Sequence, residues 1–157
     1  MKNILFVCLG NICRSAAAEA VMKKLIEEKD LSKEYFIDSA GTADYHEGGE
    51  ADPRMISHSL KRGFDITSIS RPINKQDYYD FDLIVLMDKE NFRNVSNLCP
   101  EENLLGKIRY MSDFFTEHND KIVPDPYFGG SKGFEYVLDL LEDGCKELLS
   151  QLIKKDI

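Results

Sequence analysis

The sequence is poor in the residues that hold structural metals and disulfide scaffolds. It contains four cysteines and three histidines, and no two of them have the CxxC or HxxxH spacing of metal sites. We therefore expect neither a structural zinc site nor a fold that depends on disulfide bonds. The cysteines are predicted to be buried or reactive thiols in a reducing compartment.

Long apolar segments are also missing. No stretch approaches the roughly 18 apolar residues of a membrane-spanning helix, and the apolar run near the N-terminus is too short for a signal-peptide core. We therefore expect a cytoplasmic protein that does not enter membranes. Its 157 residues, 43% hydrophobic and 31% charged, are typical of a globular protein, predicted as a single domain over residues 1–157.

Basic residues are outnumbered by acidic ones, 20 to 28. The formal net charge is −8, which argues against a nucleic-acid partner because nucleic-acid binding needs a basic surface. The acidic balance also opposes an anionic substrate in general. Any phosphate site in this chain must therefore be a local positive pocket.

Short apolar runs alternate with amphipathic segments along the chain. Predicted strands lie at residues 4–8, 35–40, 81–87 and 107–111, and predicted helices at about 17–28, 53–63, 88–98 and 134–152. This alternation predicts an α/β fold: an open, doubly wound, four-stranded parallel sheet with helices on both faces, of the flavodoxin-like type. The long irregular stretch at about 112–132 is predicted to be functional or mobile.

The first predicted strand runs into a loop with the chemistry of an anion site, made of Cys8, Leu9, Gly10, Asn11, Ile12, Cys13, Arg14 and Ser15. At this end of a parallel strand, backbone amides and the next helix N-terminus converge on bound anions. Arg14 adds a planar, charged fork for phosphate oxygens. These groups favour the thiolate of Cys8, which is the nucleophilic form, and Ser15 can donate to it.

Cys8 has a second interpretation, because a lone cysteine in a strand is more often a small buried apolar residue. The pattern Cys-x5-Arg-Ser arises by chance in about one chain in a hundred of this length. Its position between a buried strand and a helix makes chance a weaker explanation. We therefore predict a phosphate-binding loop with a nucleophilic cysteine.

The loop and several later segments together resemble a known family. Residues 7–15 (VCLGNICRS), with 17–20 (AAEA) after them, resemble the signature of the low-molecular-weight protein tyrosine phosphatases. Residues 125–127 (DPY) match the second signature of that family, and residues 38–42 (DSAGT) and 87–88 (MD) also resemble it. The matches span nearly the whole chain in the order of the family.

The resemblance implies hydrolysis of phosphotyrosine or aryl phosphate monoesters with no cofactor and no metal. Cys8 would form a phosphocysteine intermediate and Arg14 would bind the transferring phosphoryl group. Asp125 would protonate the leaving oxygen and then act as base on water. A carboxyl group that faces an anionic site tends to hold its proton, which suits Asp125 to this role. Without the resemblance, an Asp-Pro pair would be interpreted as a turn.

Further site residues follow from the same resemblance. Ser39 is expected to hold the side chain of Asn11 and thereby the shape of the loop. Cys13 is expected either to form a reversible disulfide with the nucleophile or to be a packed thiol. The walls of a slot for an aromatic ring are expected from Tyr45, Tyr127 and Phe128.

Two positions depart from the family pattern. Ala16 stands where many members have proline, and Ser68 stands where many have histidine. We expect Ser68 to change the hydrogen bonding around the loop without changing the chemistry. Two roles are considered for Asp88: a cap for the helix that follows it, which is the expected one, and a second role beside the loop.

Three other functions fit parts of this sequence. A thiol-dependent arsenate reductase would need a relay of cysteines, and Cys99 and Cys145 are far apart in the sequence. A phosphocarrier would hold phosphate on Cys8 but needs neither Arg14 nor Asp125. A phosphotyrosine-binding module without catalysis would have no reason to keep all three residues. We therefore expect a phosphatase, predicted to be monomeric, that acts on phosphotyrosine proteins or small aryl phosphates.

Overall fold

The computed structural model describes residues 1–126 and 129–157. Within these ranges the chain forms a four-stranded sheet of β1 (Lys2–Cys8), β2 (Tyr35–Gly41), β3 (Leu83–Leu86) and β4 (Ile108–Tyr110). The strand order is β2-β1-β3-β4 and every pair is parallel. The predicted open parallel sheet is confirmed. β3 and β4 are shorter than the apolar runs that predicted them.

The helices of the described ranges are α1 (Arg14–Glu28), α2 (Pro53–Lys61), α3 (Asp77–Asp80), α4 (Lys89–Leu98) and α5 (Gly130–Lys154). Two 3-10 helices, Glu102–Lys107 and Met111–Phe114, flank β4. Asp52 caps α2, with proline in the first turn, and Gly63 follows its end with a φ of 85° that favours glycine. The sequence patterns predicted every one of these five helices except the single turn α3.

β1 is apolar on both of its faces because both faces are covered. Ile4 and Phe6 point into a core shared with α1 and α5, whereas Leu5 and Val7 point into the opposite core. Alternate residues of a strand face opposite sides, so a strand in the middle of a two-sided sheet must be continuously apolar. In the second core the buried hydroxyl of Tyr78 donates to the Val95 carbonyl at 2.6 Å.

The strand order explains where the loop after β1 lies. The chain leaves β1 for β2 through α1, and β3 then pairs with the other edge of β1. The connections therefore diverge at the carboxyl end of β1. Ligands of open α/β sheets bind in the crevice that such a reversal creates, and Cys8 is the last residue of β1.

The segment between β4 and α5 is held by a buried carboxylate. Asp143 on α5 accepts hydrogen bonds from the backbone N–H groups of Thr116, Glu117 and His118. Burial alone would raise the pKa of Asp143, but the hydrogen bonds from Thr116 and His118 outweigh it and lower the pKa to about 2. The predicted irregular stretch is thus anchored here and begins with a 3-10 turn. None of the helices in residues 1–126 and 129–157 combines the length and apolarity needed to cross a bilayer.

Candidate active site

Cys8 lies at the floor of a pocket, between the end of β1 and the start of α1. Its side chain is nearly buried, with 3% of the residue exposed. The Ser15 hydroxyl lies 3.0 Å from the sulfur, and the Ser15 backbone N–H donates to the sulfur at 3.5 Å. Because α1 begins at Arg14, its N-terminus adjoins Cys8. Helix N-termini favour negative charge, so this position suits a thiolate.

Arg14 is buried beside the thiol and held by two elements far away in the sequence. Its Nη1 donates to Asp88 Oδ2 at 2.6 Å and to the Val123 carbonyl at 3.0 Å. Burial would lower the pKa of Arg14, but the charge of Cys8 and the hydrogen bond to Asp88 raise it overall. The guanidinium is therefore a permanent cation with a fixed direction.

Asp88 has both of the roles considered from the sequence. One of its carboxylate oxygens accepts from the backbone N–H of Asn91 at 2.8 Å and caps α4. Its other oxygen accepts from Arg14. A carboxylate has two oxygens, so the helix cap and the ion pair do not compete.

Asp125 reaches the same pocket from the segment before α5. The Val123 N–H donates to the Met87 carbonyl at 2.8 Å, which fixes this segment against the end of β3. Asp125 Oδ2 then lies 3.9 Å from Arg14 Nη2, and the Asp125 side chain is 45% exposed. A half-exposed carboxyl group at the mouth of a pocket can meet both a leaving group and water.

The pocket is small and has one apolar wall. Its volume is about 200 Å³, and it is lined by Cys8, Leu9, Gly10, Ile12, Cys13, Arg14, Tyr45, His46 and Asp125. The predicted residues Cys8, Arg14, Asp125 and Tyr45 thus meet in one place. The other two predicted wall residues, Tyr127 and Phe128, lie outside the described residues. Elsewhere in the described chain, no group of three or more His, Cys, Asp or Glu side chains is placed to hold a metal ion.

His46 is a wall residue that the sequence analysis missed. Its ring covers Gly10, so that a Cβ atom at Gly10 would lie 3.0 Å from His46 Cδ2. The exposed His46 side chain thus packs against the loop at Gly10. In the sequence, only the position of His46 next to Tyr45 indicated that it could line the pocket.

Asn11 adopts a left-handed backbone conformation, with φ at 56°. Its side-chain amide donates to Ser15 Oγ at 2.8 Å, and its Oδ1 accepts from the Arg71 backbone N–H at 3.1 Å. The predicted contact between Asn11 and Ser39 is wrong, because the Ser39 hydroxyl donates to Glu19 Oε1 at 2.6 Å. Glu19 is buried on α1, and a carboxylate is a stronger acceptor than an amide oxygen.

Cys13 lines the same pocket as Cys8. Burial, reinforced by the negative charge of Asp52, raises the pKa of the Cys13 thiol well above its ordinary range. Only 5% of the residue is exposed. Cys13 therefore stays a neutral thiol under conditions in which a reactive cysteine would be ionised.

Two serines of the segment after α2 differ in their hydrogen bonding. The Ser68 hydroxyl is buried and has no hydrogen-bond partner among the described residues. The Ser70 hydroxyl donates to the Gly10 carbonyl at 3.0 Å. The serine two positions further along thus supports the loop, which the sequence analysis did not foresee.

Comparisons with known proteins agree with this geometry. A family model described as low molecular weight phosphotyrosine protein phosphatase matches residues 3–157. The low molecular weight phosphotyrosine protein phosphatase 1 of Drosophila melanogaster is 36% identical over 99% of each chain. The crystal structure of a protein tyrosine phosphatase from Entamoeba histolytica covers 100% of both chains at 48% identity, with a TM-score of 0.97.

A Drosophila arginine phosphatase of known structure is similar as well. It is 32% identical and has a TM-score of 0.89, with 97% of this chain and 98% of that one covered. The family model and the relatives each match nearly the whole chain, and both solved structures share its fold. The chain belongs to the low molecular weight phosphotyrosine protein phosphatase family.

Proposed function

We propose that Cys8, Arg14 and Asp125 carry out the hydrolysis of phosphotyrosine and related aryl phosphates in this enzyme. One observation carries the assignment. Arg14 Nη2 lies 3.9 Å from Asp125 Oδ2, and both residues line the same pocket as Cys8. A nucleophile, a cation for the phosphoryl oxygens and a carboxyl group for the leaving oxygen therefore face one small volume.

The reaction has two steps. In the first, the thiolate of Cys8 attacks phosphorus while the bond to the phenolic oxygen breaks, and Asp125 gives that oxygen a proton. In the second, Asp125 takes a proton from water, which attacks phosphorus and breaks the bond to sulfur. Arg14 binds the phosphoryl oxygens in both transition states. Ser15, 3.0 Å from the sulfur, stabilises the thiolate when it leaves.

The remaining cysteines do not favour the arsenate reductase alternative. Cys145 is completely buried on α5 and packs against α1, where its thiol donates to the Ala18 carbonyl at 3.9 Å. The thiol of Cys99 donates to the Glu101 carbonyl just after α4. A disulfide relay needs thiols that reach one another, and these two lie in different elements.

The pocket walls favour an aromatic phosphate over other phosphorylated groups. Tyr45 and Ile12 line the mouth and offer flat or apolar surface to a ring. The similarity to an arginine phosphatase means that the fold alone does not specify the phosphorylated group. A direct comparison of substrates tests the assignment.

Phosphotyrosine peptide, phosphoserine peptide and phosphoarginine would be assayed with the wild type in the presence of a metal chelator. We expect phosphotyrosine to be hydrolysed with kcat/KM at least about 100-fold above the other two, since an alkyl group leaves the wall contacts unused. The chelator is expected to have no effect. Preferential release of phosphate from phosphoarginine would contradict the proposed substrate class.

We also propose that Cys13 protects Cys8 from irreversible oxidation. Peroxide would convert the Cys8 thiolate to a sulfenic acid, and the Cys13 thiol would then displace water and form a disulfide. Two electrons pass from the sulfurs to peroxide, and a thiol reductant returns them. Burial raises the pKa of Cys13, so peroxide oxidises Cys8 first, and Cys13 loses its proton as it attacks the sulfenic acid.

This role predicts a difference in recovery after oxidation. Wild type inactivated by peroxide should regain nearly all activity in dithiothreitol, whereas Cys13→Ser should regain little because its sulfenic acid oxidises further. Cys99→Ser is the matched control and should recover like wild type. Full recovery of Cys13→Ser would show that Cys13 is only a packed thiol.

From the sequence we also propose that residues 1–157 act as one monomeric phosphatase domain in the cytoplasm, with no nucleic-acid partner. The number of molecules in solution can be measured by sedimentation.

A further inference from the structure

A short segment between α2 and α3 contacts both sides of the active site. Residues 69–73, called the brace below, run beside the end of β2. The Gly41 N–H donates to the Arg71 carbonyl at 2.8 Å, and the Ile73 N–H donates to the Gly41 carbonyl at 2.8 Å. The brace thus extends the sheet by one parallel bridge, between Gly41 and Pro72.

The brace also holds the loop that bears Tyr45 and His46. The Gly48 N–H donates to the Ser70 carbonyl, and the Ser70 N–H donates to the Gly49 carbonyl, both at 2.9 Å. These two bonds lie next to an antiparallel bridge between residues 50 and 69. The wall loop is therefore tied to the brace just after its two pocket residues.

On its inner side the brace makes two hydrogen bonds to the phosphate-binding loop. The Ser70 hydroxyl donates to the Gly10 carbonyl at 3.0 Å, and the Arg71 N–H donates to Asn11 Oδ1 at 3.1 Å. Asn11 has a left-handed conformation, which costs free energy for a residue with a side chain unless its surroundings hold it. The second bond helps to supply that restraint.

The side chain of Arg71 anchors the brace to two elements of the fold. Its Nη2 donates to Asp38 Oδ2 on β2 at 3.0 Å, and its Nη1 donates to Asp77 Oδ2 on α3 at 3.0 Å. Asp77 is buried and also accepts from the Asn74 N–H at 2.8 Å. Burial would lower the pKa of Arg71, but Asp77 and Asp38 raise it overall. The guanidinium is thus a fixed, charged bridge.

We propose that Ser70 and Arg71 are positioning residues that set the phosphate-binding loop and the Tyr45–His46 wall in register. A substrate must place its phosphate on one of these loops and its ring against the other at the same time. A shift of about 1 Å between reacting groups can cost on the order of 100-fold in rate. The inference rests on the function proposed above for the Cys8 loop.

Two variants test this role, one that removes a single hydrogen bond and one that removes the side-chain anchor of the brace. Ser70→Ala removes one hydrogen bond to Gly10, and we expect kcat to fall roughly 3- to 10-fold. Arg71→Gln releases the anchor, and we expect kcat to fall about 10- to 100-fold. In both variants the inhibition constant of inorganic phosphate should rise, because the loop that binds phosphate has lost support.

A matched control separates positioning from general stability. Arg62 makes ion pairs of the same kind with Glu135, Asp139 and Glu142, which join the end of α2 to α5. Arg62→Gln should lower the urea midpoint as Arg71→Gln does, yet leave kcat and phosphate inhibition within about 2-fold of wild type. Kinetics are measured without urea, under conditions in which circular dichroism shows that each variant is folded.

A double-mutant cycle gives a second measurement. If Arg71 acts through Asn11, combining Asn11→Ala with Arg71→Gln should reduce kcat little more than Asn11→Ala alone. If the losses of kcat in the two single variants add fully in the double variant, Arg71 does not act through Asn11. Should Arg71→Gln fail to fold, Ser70→Ala decides, and wild-type kcat and phosphate inhibition in that variant would overturn the proposal.

Different results would contradict the positioning role and the proposed function. If Cys8→Ser is inactive but Ser70→Ala and Arg71→Gln have wild-type kinetics, only the positioning role is contradicted. If Cys8→Ser is active, the proposed function of the Cys8 loop is contradicted.

Discussion

Replacing Cys8 by serine is expected to lower the turnover of aryl phosphates by about 10⁴-fold or more. The serine hydroxyl is a poor nucleophile unless a base takes its proton, and the side-chain group that contacts the sulfur at 3.0 Å is another hydroxyl, that of Ser15. Helix α1 and Arg14 can stabilise an anion at this position but cannot accept a proton from it. The measurement is steady-state phosphate release, with a chelator present.

The size of this effect must come from chemistry and not from loss of the fold. Oxygen is smaller than sulfur, so Cys8→Ser should keep its fold and still bind inorganic phosphate, as measured by calorimetry. Cys99→Ser is the matched control, because Cys99 is a partly exposed thiol outside the pocket. It should keep wild-type kcat. Retention of more than a few per cent of activity in Cys8→Ser would contradict the phosphocysteine mechanism.

Replacing Asp125 by alanine is expected to slow hydrolysis in proportion to the basicity of the leaving group. For phenyl phosphate or phosphotyrosine, the loss of the proton donor should lower kcat/KM, which reports the first step, about 10²- to 10⁴-fold. For dinitrophenyl phosphate the loss in kcat/KM should be small, because that phenolate leaves without a proton. The measurement is the slope of log kcat/KM against leaving-group basicity, which should be steeper in Asp125→Ala than in wild type.

A neighbouring aspartate provides the control for this experiment. Asp120 lies in the same segment before α5, but its carboxylate accepts from the Tyr136 hydroxyl at 2.7 Å and does not line the pocket. Asp120→Ala should leave both kcat and the slope unchanged. An equal loss for all leaving groups in Asp125→Ala would indicate that Asp125 positions the substrate or Arg14 and does not donate a proton.

The parts of this structure that the sequence predicted are those that depend on neighbouring residues. β1 is recognisable as an unbroken apolar run because both of its faces are buried. Asp88 before α4 acts as the expected helix cap, since a cap bonds to residues only a few positions away. The loop from Cys8 to Ser15 was predicted as a unit because all of its parts are consecutive.

The position of Asp125 in the site could not be predicted from local sequence patterns. An Asp-Pro pair by itself predicts a turn, and only the family resemblance suggested that it faces Cys8. The fold brings it to Arg14 through the Val123–Met87 hydrogen bond at the end of β3. Neither the periodicity nor the composition of the sequence predicts the contact between Asp125 and Arg14, because it joins segments that are far apart in the chain.

Hydrogen-bond partners within the site were decided only by tertiary structure. Ser39 was expected to hold Asn11 but donates to Glu19, while Asn11 is held by Ser15 and by the backbone of Arg71. A buried polar group takes the strongest acceptor or donor that packing brings near, and several candidates compete for it. The sequence by itself determined the anion-binding loop, the α/β fold and the family. The packing of distant segments decided how that loop is held, because the partners of its side chains become neighbours only after the chain has folded.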